Sequence, residues 1–392
     1  MKRLPLASFR LQNFKAVRDS GTLKFGPLTV LIGNNGSGKS SLIEGLETFR
    51  DIVLDGLDAA MRRWRGFEHV LNQAVKHELH EPPEQRPYHS NPMTFQMVLN
   101  DDDLRVQAQQ VINSGKRGNG LYIEHEEVVR KGREASDRVI RDANGQQQVV
   151  PLDKGKPINV SPRMRDGQSI LNDMAGNFLE HWQFLSLTPD AMGQSVPQQS
   201  TAGWIHLAKN GSNIAEYLNE IRALDLNAFN GILDSLRYVL PYLGDLEPTL
   251  TSELERAFYL KFKEERFELP GWLLSTGTLR IAALLACLRH PQPPPLLVIE
   301  EIENGLDPRT LQLLVAEIQA AIETGSTQVI VTTHSPYLLD LLHLSHIVVV
   351  ERVQNEPKFY RPADEKELRA WAKDFSPGQL YTMGRLTGRE KK

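Results

Sequence analysis

Hydrophobic residues recur along the chain with two different periods, and these divide it into predicted strands and helices. Residues 28–32 form a continuous apolar run that predicts a buried strand, whereas residues 41–49 space apolar side chains three and four apart and predict a helix. Residues 8–14 alternate and predict an earlier strand. Alternating segments separated by Asn, Gly and Asp turns within residues 94–153 predict an antiparallel sheet beside them.

The carboxyl-terminal half combines helical periodicity with two further apolar runs. Residues 212–268 show helical spacing and predict a helical lobe. Residues 294–299 are apolar throughout and residues 328–333 have an apolar centre at 329–331, which is typical of buried strands in a parallel sheet. Residues 281–288 predict an apolar helix. No heptad pattern persists over several turns, so long coiled-coil arms are not expected.

Composition excludes several classes of protein. The chain has 392 residues with 40% hydrophobic content, enough for a large core and two to three lobes. A single cysteine, Cys287, excludes an internal disulfide framework. The sequence contains no run of about 18 apolar residues, so no membrane-spanning helix is expected. No signal peptide opens the chain, so we expect a cytoplasmic protein without a membrane partner. The net charge of -4 gives no global attraction to nucleic acid.

One segment predicts a ligand. Residues 33–40 read G-x-x-x-x-G-K-S and lie between the predicted strand 28–32 and the predicted helix, the context that a phosphate-binding loop requires. Its glycines would let backbone N–H groups converge on phosphate oxygens. Lys39 would reach the β- and γ-phosphates, and the Ser40 hydroxyl would coordinate Mg²⁺. We therefore expect ATP and Mg²⁺ as cofactors, with ATP held by Asn34, Asn35, Gly36, Ser37, Gly38, Lys39, Ser40 and Ser41.

Three later segments add candidate chemistry, each with a plainer alternative. Glu300 and Glu301 end an apolar strand; we assign Glu300 to the metal and Glu301 to the attacking water, although a solvated Glu pair ends many strands. His334 follows the strand 328–333, as a γ-phosphate sensor or a structural histidine. Residues 274–280 form a small-residue turn before a helix that could accept an anion or be an ordinary capped helix start.

The order of these segments resembles that of the ABC-type ATPases, in the branch of RecF, the SMC proteins and the overcoming-lysogenization-defect nucleases. Gly33–Ser40 is similar to the Walker A motif, Leu274–Thr278 to the signature, Leu296–Glu301 to Walker B, Asn304–Asp307 to the D-loop and His334 to the switch histidine. The segments 65–71 and 210–215 are also similar to patches of compact bacterial ATPases in this branch.

The resemblance implies a fold, a set of roles and a partner. The implied fold class is α/β, a P-loop NTPase with an ABC-type ATPase head that has a mixed parallel core sheet, an antiparallel β lobe and a helical lobe. Glu301 and His334 would be catalytic, and Ser275, Gly277 and Asp307 would complete a neighbour's nucleotide site in an ATP-sandwiched homodimer. Gln183 is a candidate for the Q-loop glutamine, with an ordinary exposed glutamine as the alternative.

The expected domain organisation follows from these assignments. Residues 1–60 would form the first part of the ATPase core, 61–205 an inserted β-rich lobe, 206–270 the helical lobe and 271–392 the rest of the core. Only 58 residues follow His334, so we expect no fused nuclease.

Three roles remain open: a DNA-associated ATPase of repair or anti-phage defence with a partner effector encoded nearby, a slow nucleotide-gated scaffold that restrains a toxin or nuclease, and a transporter subunit. DNA contact is possible through basic clusters, which more often are solvated faces; these are Met61–Arg65, Arg130–Arg133, Arg163–Arg165 and Arg385–Lys392.

Overall fold

The structure is a computed structural model and describes residues 5–72, 92–100, 104–114, 120–133, 136–153, 155–160, 167–198, 205–252 and 255–386. The strands are β1 Leu6–Phe14, β2 Val17–Asp19, β3 Leu23–Lys24, β4 Leu28–Ile32, β5 Met93–Asn100, β6 Leu104–Ser114, β7 Leu121–Gly132, β8 Ser136–Arg141, β9 Gln147–Pro151, β10 Ile158–Val160, β11 Gln183–Leu185, β12 Val196–Pro197, β13 Asp245–Leu250, β14 Ala257–Lys263, β15 Glu268–Pro270, β16 Leu296–Ile299, β17 Gln328–Thr333, β18 Ile347–Val353 and β19 Glu356–Tyr360.

The α-helices are α1 Lys39–Asp55, α2 Leu57–Arg63, α3 Phe67–Val70, α4 Leu171–Leu179, α5 Pro189–Met192, α6 Ile214–Leu224, α7 Leu226–Val239, α8 Thr276–Leu288, α9 Pro308–Glu323, α10 Pro336–Asp340, α11 Lys366–Trp371 and α12 Pro377–Thr382. Short 3-10 turns occur at Gly271–Leu273, Leu344–His346 and Pro362–Asp364. In the ranges given above, no helix has both the length and the apolar character needed to cross a bilayer.

The chain folds as two compact units. The first consists of Met1–Gly26, Ile32–Glu180 and Val348–Arg361; the second consists of Pro27–Leu31, His181–Ile347 and Pro362–Lys392. The boundary between the units therefore falls within β4 and within β18.

The first unit contains an antiparallel sheet with the strand order β10-β9-β8-β7-β6-β5-β1-β2, and β3 also pairs with β1. The predicted antiparallel sheet within residues 94–153 is thus confirmed, and β5 attaches it directly to β1. The first helix packs closely on this sheet, because a Cβ at Gly45 of α1 would lie only 2.4 Å from a Leu11 methyl carbon of β1. Buried aromatic rings fill the same layer, with Phe49 of α1 5.5 Å from Phe95 of β5 between ring centroids.

The second unit contains parallel strands. β16 pairs in parallel with β11 on one side and β17 on the other, and β4 follows β17 in the strand order. All four residues of β16 and all six of β17 are buried, which explains the continuous apolar run of β16 and the apolar centre of β17. The sequence prediction of an α/β fold with a parallel core sheet is confirmed.

The predicted helical lobe is only partly correct. Helices α6 and α7 lie within residues 214–239, as predicted. The strands β13, β14 and β15 that follow them form a second antiparallel sheet, which β12 joins. In β14, buried Leu260 and Phe262 alternate with the half-buried Lys261 and Lys263. This period of two is the strand signal that the helical interpretation overlooked.

The carboxyl end of α2 has an unusual cap. The N–H of Gly66 donates to the Met61 carbonyl and the N–H of Arg65 to the Arg62 carbonyl, both at 3.0 Å, which is the Schellman pattern of a helix end. Arg65 occupies the left-handed position of this motif with φ of 62°, where glycine is the usual residue because it has no Cβ. The cap therefore holds an arginine in a strained conformation.

We predict that Arg65→Gly raises the free energy of unfolding by about 0.5–1 kcal/mol, because relief of the left-handed strain exceeds the entropy cost of glycine. Arg62→Gly is the matched control: it places glycine in the last turn of the same helix and is expected to lower stability by about 1 kcal/mol. Urea denaturation of both variants measures whether each substitution raises or lowers the free energy of unfolding. Equal destabilisation by both substitutions would contradict the strain at Arg65.

Candidate functional site

The predicted phosphate loop lies in the first unit and has the turn geometry that its glycines suggested. The loop turns at Gly36 and Gly38, which have φ of 72° and 113°. Gly38 is also the residue that precedes α1, and a Cβ there would lie 2.6 Å from the Pro357 ring. Both the backbone conformation and the close approach therefore require glycine at this position.

Helix α1 begins at this loop with its first turn open. No side chain caps the helix start, and the first turn contains no acidic residue. The 17-residue helix therefore presents uncapped N–H groups and the positive end of its dipole at the loop. Such a helix start is a suitable place for an anion.

Two polar groups of the loop are buried beside the helix start. The Lys39 ammonium group donates to the carbonyl oxygens of Gly33 at 2.7 Å and Asn34 at 3.2 Å, and the residue is only 5% exposed. The Ser37 hydroxyl is buried and has no hydrogen-bond partner among the residues that the structure describes. A buried cation and an unpartnered hydroxyl at an uncapped helix start fit the phosphate groups of a nucleotide.

The remaining predicted phosphate-binding residues are more exposed. Asn34, Asn35, Gly36 and Ser40 are open to solvent, and Ser41 is half-buried in the first turn of α1. Ser40 is thus free of the core and available to a metal ion at the edge of the loop.

The acidic turn lies in the second unit, directly after β16. The backbone N–H of Glu300 donates to the Leu185 carbonyl at 2.8 Å, which continues the pairing of β16 with β11 by one residue. The next residue, Glu301, has φ of 49°. The two predicted acids therefore stand on differently oriented backbone, because the chain leaves the sheet between them.

The backbone of Glu301 is held on both sides. Its N–H donates to the Thr332 hydroxyl at 2.9 Å, and its carbonyl accepts from the Arg280 guanidinium at 2.8 Å. The Glu301 carboxylate accepts from the Asn304 side chain. A left-handed glutamate costs about 1–3 kcal/mol, and such strain persists where surrounding contacts over-determine it, often at functional sites.

Arg280 and Thr332 were missed by the sequence prediction. Arg280 is 4% exposed and also donates to the Leu187 carbonyl at 2.9 Å, so it joins α8 to two loops of the second unit. Burial lowers the pKa of the Arg280 guanidinium, against the opposing effect of the Glu301 and Glu303 charges. The available signal was that Arg280 is the only charged residue in the apolar segment 274–288.

The predicted signature segment is a capped helix start that touches the turn after β16. The Ser275 hydroxyl accepts from the Thr278 N–H at 3.1 Å and caps α8. A Cβ on Gly277 would lie 2.4 Å from the Gly305 carbonyl oxygen. The segment is thus a capped helix start, which is the simpler of the two alternatives given by the sequence. Its contact with a nucleotide stays a prediction.

Asp307 also acts as a helix cap. Its carboxylate accepts from the N–H groups of Arg309 at 2.9 Å and Thr310 at 3.1 Å at the start of α9. The Thr310 hydroxyl bond and these N–H bonds hold the pKa of Asp307 below its usual value. The predicted contact of Asp307 with a neighbour's nucleotide remains a prediction.

His334 directly follows β17 and is half-buried. Its backbone N–H donates to the Glu303 carboxylate at 2.5 Å. The next residue, Ser335, caps α10 by accepting from the Leu338 N–H at 3.3 Å. The histidine is therefore fixed through its backbone between a strand end and a helix start.

Gln183 is buried, so the alternative interpretation of an ordinary exposed glutamine is wrong. It is 6% exposed in β11, opposite Leu297, and its amide donates to the Leu207 carbonyl. Its position is two residues before Leu185, where β11 ends. The Q-loop assignment stays a prediction for a side chain whose amide is held by a backbone carbonyl.

The basic clusters are partly neutralised where the structure describes them. Arg63 pairs with Glu47 and Asp51, each at 2.8 Å, and Arg130 donates to Asp137 at 2.8 Å. The cluster Arg163–Arg165 and the tail beyond Leu386 lie outside the described residues.

Comparison with known families gives two matches. A family model described as "AAA domain, putative AbiEii toxin, Type IV TA system" matches residues 122–340, which is more than half of the chain. A second model, described as "AAA ATPase domain", matches residues 5–83 and includes the phosphate loop. No curated protein matches the chain.

Solved structures show likeness at low identity. An SMC head bound to the C-terminal winged-helix domain of ScpA is 13% identical with a TM-score of 0.48, over 91% of this chain and 97% of that one. An SMC head domain from Thermotoga maritima is 16% identical with a TM-score of 0.43, over 91% and 98%. An Smc head with an extended coiled coil, bound to the C-terminal domain of ScpA and derived from Pyrococcus furiosus, is 12% identical with a TM-score of 0.46, over 95% and 99%.

We predict that Gly277→Ala destabilises the protein by about 1–3 kcal/mol, because the new methyl group meets a backbone carbonyl that cannot move alone. Gly231→Ala in α7 is the matched control, since its methyl group meets the end of the Arg289 side chain, and a change within about 1 kcal/mol is expected. Thermal unfolding compares the two variants. Equal stability of the two variants would show that α8 and the Gly305 turn do not approach this closely.

Proposed function

The chain belongs to the family of AAA domains whose model matches residues 122–340, and we propose that this ATPase binds ATP with Mg²⁺ at residues 34–41 and hydrolyses it. The observation that carries the proposal is the buried Lys39 ammonium group beside the uncapped start of α1. The ammonium group is held by loop carbonyls at the positive end of the helix dipole, and this arrangement favours a site built for a polyanion.

Ser40 and Glu300 are proposed to hold the metal ion, which would neutralise phosphate charge when bound. Glu301 is proposed to orient the attacking water and accept its proton, and His334 to contact the γ-phosphate. Phosphoryl transfer depends on positioning and electrostatics more than on covalent chemistry. Hydrogen bonds from Arg280 and to Thr332 fix the backbone position of Glu301, which supports its assignment as the water-orienting residue.

We further propose that ATP joins two copies of the chain. In this arrangement Ser275, Gly277 and Asp307 of one protomer would complete the site formed by Lys39 of the other, as the family resemblance implies. A ligand that binds only the dimer stabilises the dimer, so hydrolysis of ATP would remove this stabilisation and release the two protomers. ATP would act as a switch between two association states.

The proposed biological role is DNA repair or anti-phage defence together with a partner effector. The alternative is a slowly hydrolysing scaffold that restrains a toxin or nuclease without contacting DNA. The printed description of the matching family names a toxin and a Type IV TA system, which favours keeping this alternative. Stimulation of ATP turnover by DNA would support the first role, and stable co-purification with a partner without any DNA effect would support the second.

We predict that Lys39→Ala abolishes ATP binding, whereas Glu301→Gln retains binding and loses turnover by about 100-fold or more. The lysine change removes the charge that compensates the phosphates, and the glutamine keeps the shape of the turn without its base. Equilibrium binding of labelled ATP and single-turnover hydrolysis separate the two effects. Undiminished ATP affinity in Lys39→Ala would refute the phosphate-loop site, and normal turnover in Glu301→Gln would move the water-orienting role elsewhere.

We predict that Ser275→Arg binds ATP but neither dimerises nor hydrolyses it, because the bulky side chain would block the neighbour's site. Mixing it with Lys39→Ala should restore up to about half of wild-type activity, since neither variant pairs with itself, every dimer is mixed and each mixed dimer keeps one of two sites. Sedimentation measures dimer formation in parallel, because coupling between sites would suppress turnover but not association. Normal dimerisation by Ser275→Arg alone would refute the composite site.

A further inference from the structure

The ends of β16 and β17 stay connected beyond the sheet. The regular parallel pairing runs from Leu296 opposite Gln328 to Ile299 opposite Val331. After the chain turns at Glu301, the N–H of Ile302 still donates to the Thr332 carbonyl at 3.2 Å. The next N–H along the end of β17 that finds an acceptor in this turn is that of His334, and the acceptor is a side chain, the Glu303 carboxylate, at 2.5 Å.

We propose that Glu303 is a positioning residue for His334: its carboxylate replaces the strand backbone as the acceptor of the His334 N–H and so sets where the imidazole stands. This inference rests on the proposed ATPase function, in which His334 contacts the γ-phosphate. An N–H at a strand end otherwise loses its ladder partner, and a charged acceptor gives a shorter and stronger hydrogen bond than a neutral one.

The second oxygen of Glu303 limits the roles that this side chain can have. Glu303 Oε2 is buried and accepts no hydrogen bond from the residues that the structure describes. Replacement of that oxygen by an amide nitrogen therefore breaks no described hydrogen bond, while the other oxygen can still accept from His334. A glutamine should preserve the positioning function, which a general base or a metal ligand would not allow.

Glu303 also joins the contacts that hold the acidic turn. Arg280 binds the Glu301 carbonyl at 2.8 Å, and the Glu301 N–H binds the Thr332 hydroxyl at 2.9 Å. The hydrogen bond from the His334 N–H to Glu303 adds a contact two residues beyond Thr332. A displacement of His334 would therefore be felt at the backbone of Glu301, and the two proposed catalytic residues would share one support.

The test compares Glu303→Ala and Glu303→Gln with the wild-type chain. We expect Glu303→Ala to lower kcat roughly ten-fold or more, about 1.4 kcal/mol at the barrier, with little change in KM for ATP. Glu303→Gln should restore kcat to within about three-fold of wild type, because it keeps the acceptor oxygen. Glu303→Gln as inactive as Glu303→Ala, or a rise in KM with unchanged kcat, would overturn the proposal.

A second measurement does not depend on ATP hydrolysis. Hydrogen exchange at the His334 amide should be faster in Glu303→Ala than in wild type, because this variant lacks the acceptor oxygen. Exchange should be near normal in Glu303→Gln, because the amide oxygen can still accept. Unchanged exchange in Glu303→Ala would overturn the positioning role. If exchange responds as expected but the wild-type chain hydrolyses no ATP, the proposed function fails and the contact to His334 stands.

Asp225→Ala provides the matched control. Asp225 likewise accepts backbone N–H groups, those of Asn227 at 2.8 Å and Ala228 at 3.2 Å, at the start of α7 in the same unit. Its loss should lower the melting temperature without changing kcat or exchange at His334. An equal loss of kcat in Asp225→Ala would show that general destabilisation explains the effect of Glu303→Ala and would overturn the proposal.

Discussion

The hydrogen bond between the Glu301 N–H and the Thr332 hydroxyl is the contact on which the acidic turn depends. Glu301 has a left-handed backbone that an L-residue adopts only at a cost, so something outside the turn must hold it. Thr332 can do so because it lies on β17, a strand buried along its whole length. Arg280 holds the carbonyl side of the same residue from α8. The strained residue is thus supported by a strand and a helix that are themselves buried.

The polar residues of the second unit's motifs act mainly on backbone groups. Ser275 and Asp307 cap α8 and α9, and Glu303 accepts the N–H of His334. Each of these bonds satisfies a group that a helix start or strand end leaves without a partner. A residue type that the chemistry of a nucleotide site favours is therefore also the type that the local backbone requires, and substitution at such a position changes both. This coincidence is the reason that conservative variants are more informative here than alanine.

The phosphate loop has the opposite character. Its buried Lys39 and the unpartnered Ser37 hydroxyl do not benefit the fold by themselves, since burial of polar groups is unfavourable without strong compensation. The uncapped start of α1 adds a further unsatisfied feature. Binding of an anion would give acceptors to the Ser37 hydroxyl and to the N–H groups of the helix start, and would place negative charge beside Lys39. The loop is therefore a place where stability of the free protein is lowered in favour of a ligand.

The sequence by itself determined the phosphate loop, the buried strands β4, β16 and β17, and the antiparallel sheet of the first unit. These features are local: a strand, a glycine-rich turn and a helix follow one another within residues 28–55, and period or apolar run length is enough to recognise each element. The sequence analysis was wrong at β13–β15, because it extended the helical interpretation beyond α7 although buried and half-buried side chains alternate there.

Only the tertiary structure decided how the acidic turn is supported. Thr332 lies 31 positions from Glu301, and Arg280 reaches the Leu187 carbonyl across 93 positions. No periodicity links residues so far apart, because their proximity follows from parallel strands whose crossovers bring distant segments to one sheet edge. The sequence therefore identified the residues with candidate chemistry, whereas the fold determined which neighbours hold them in place.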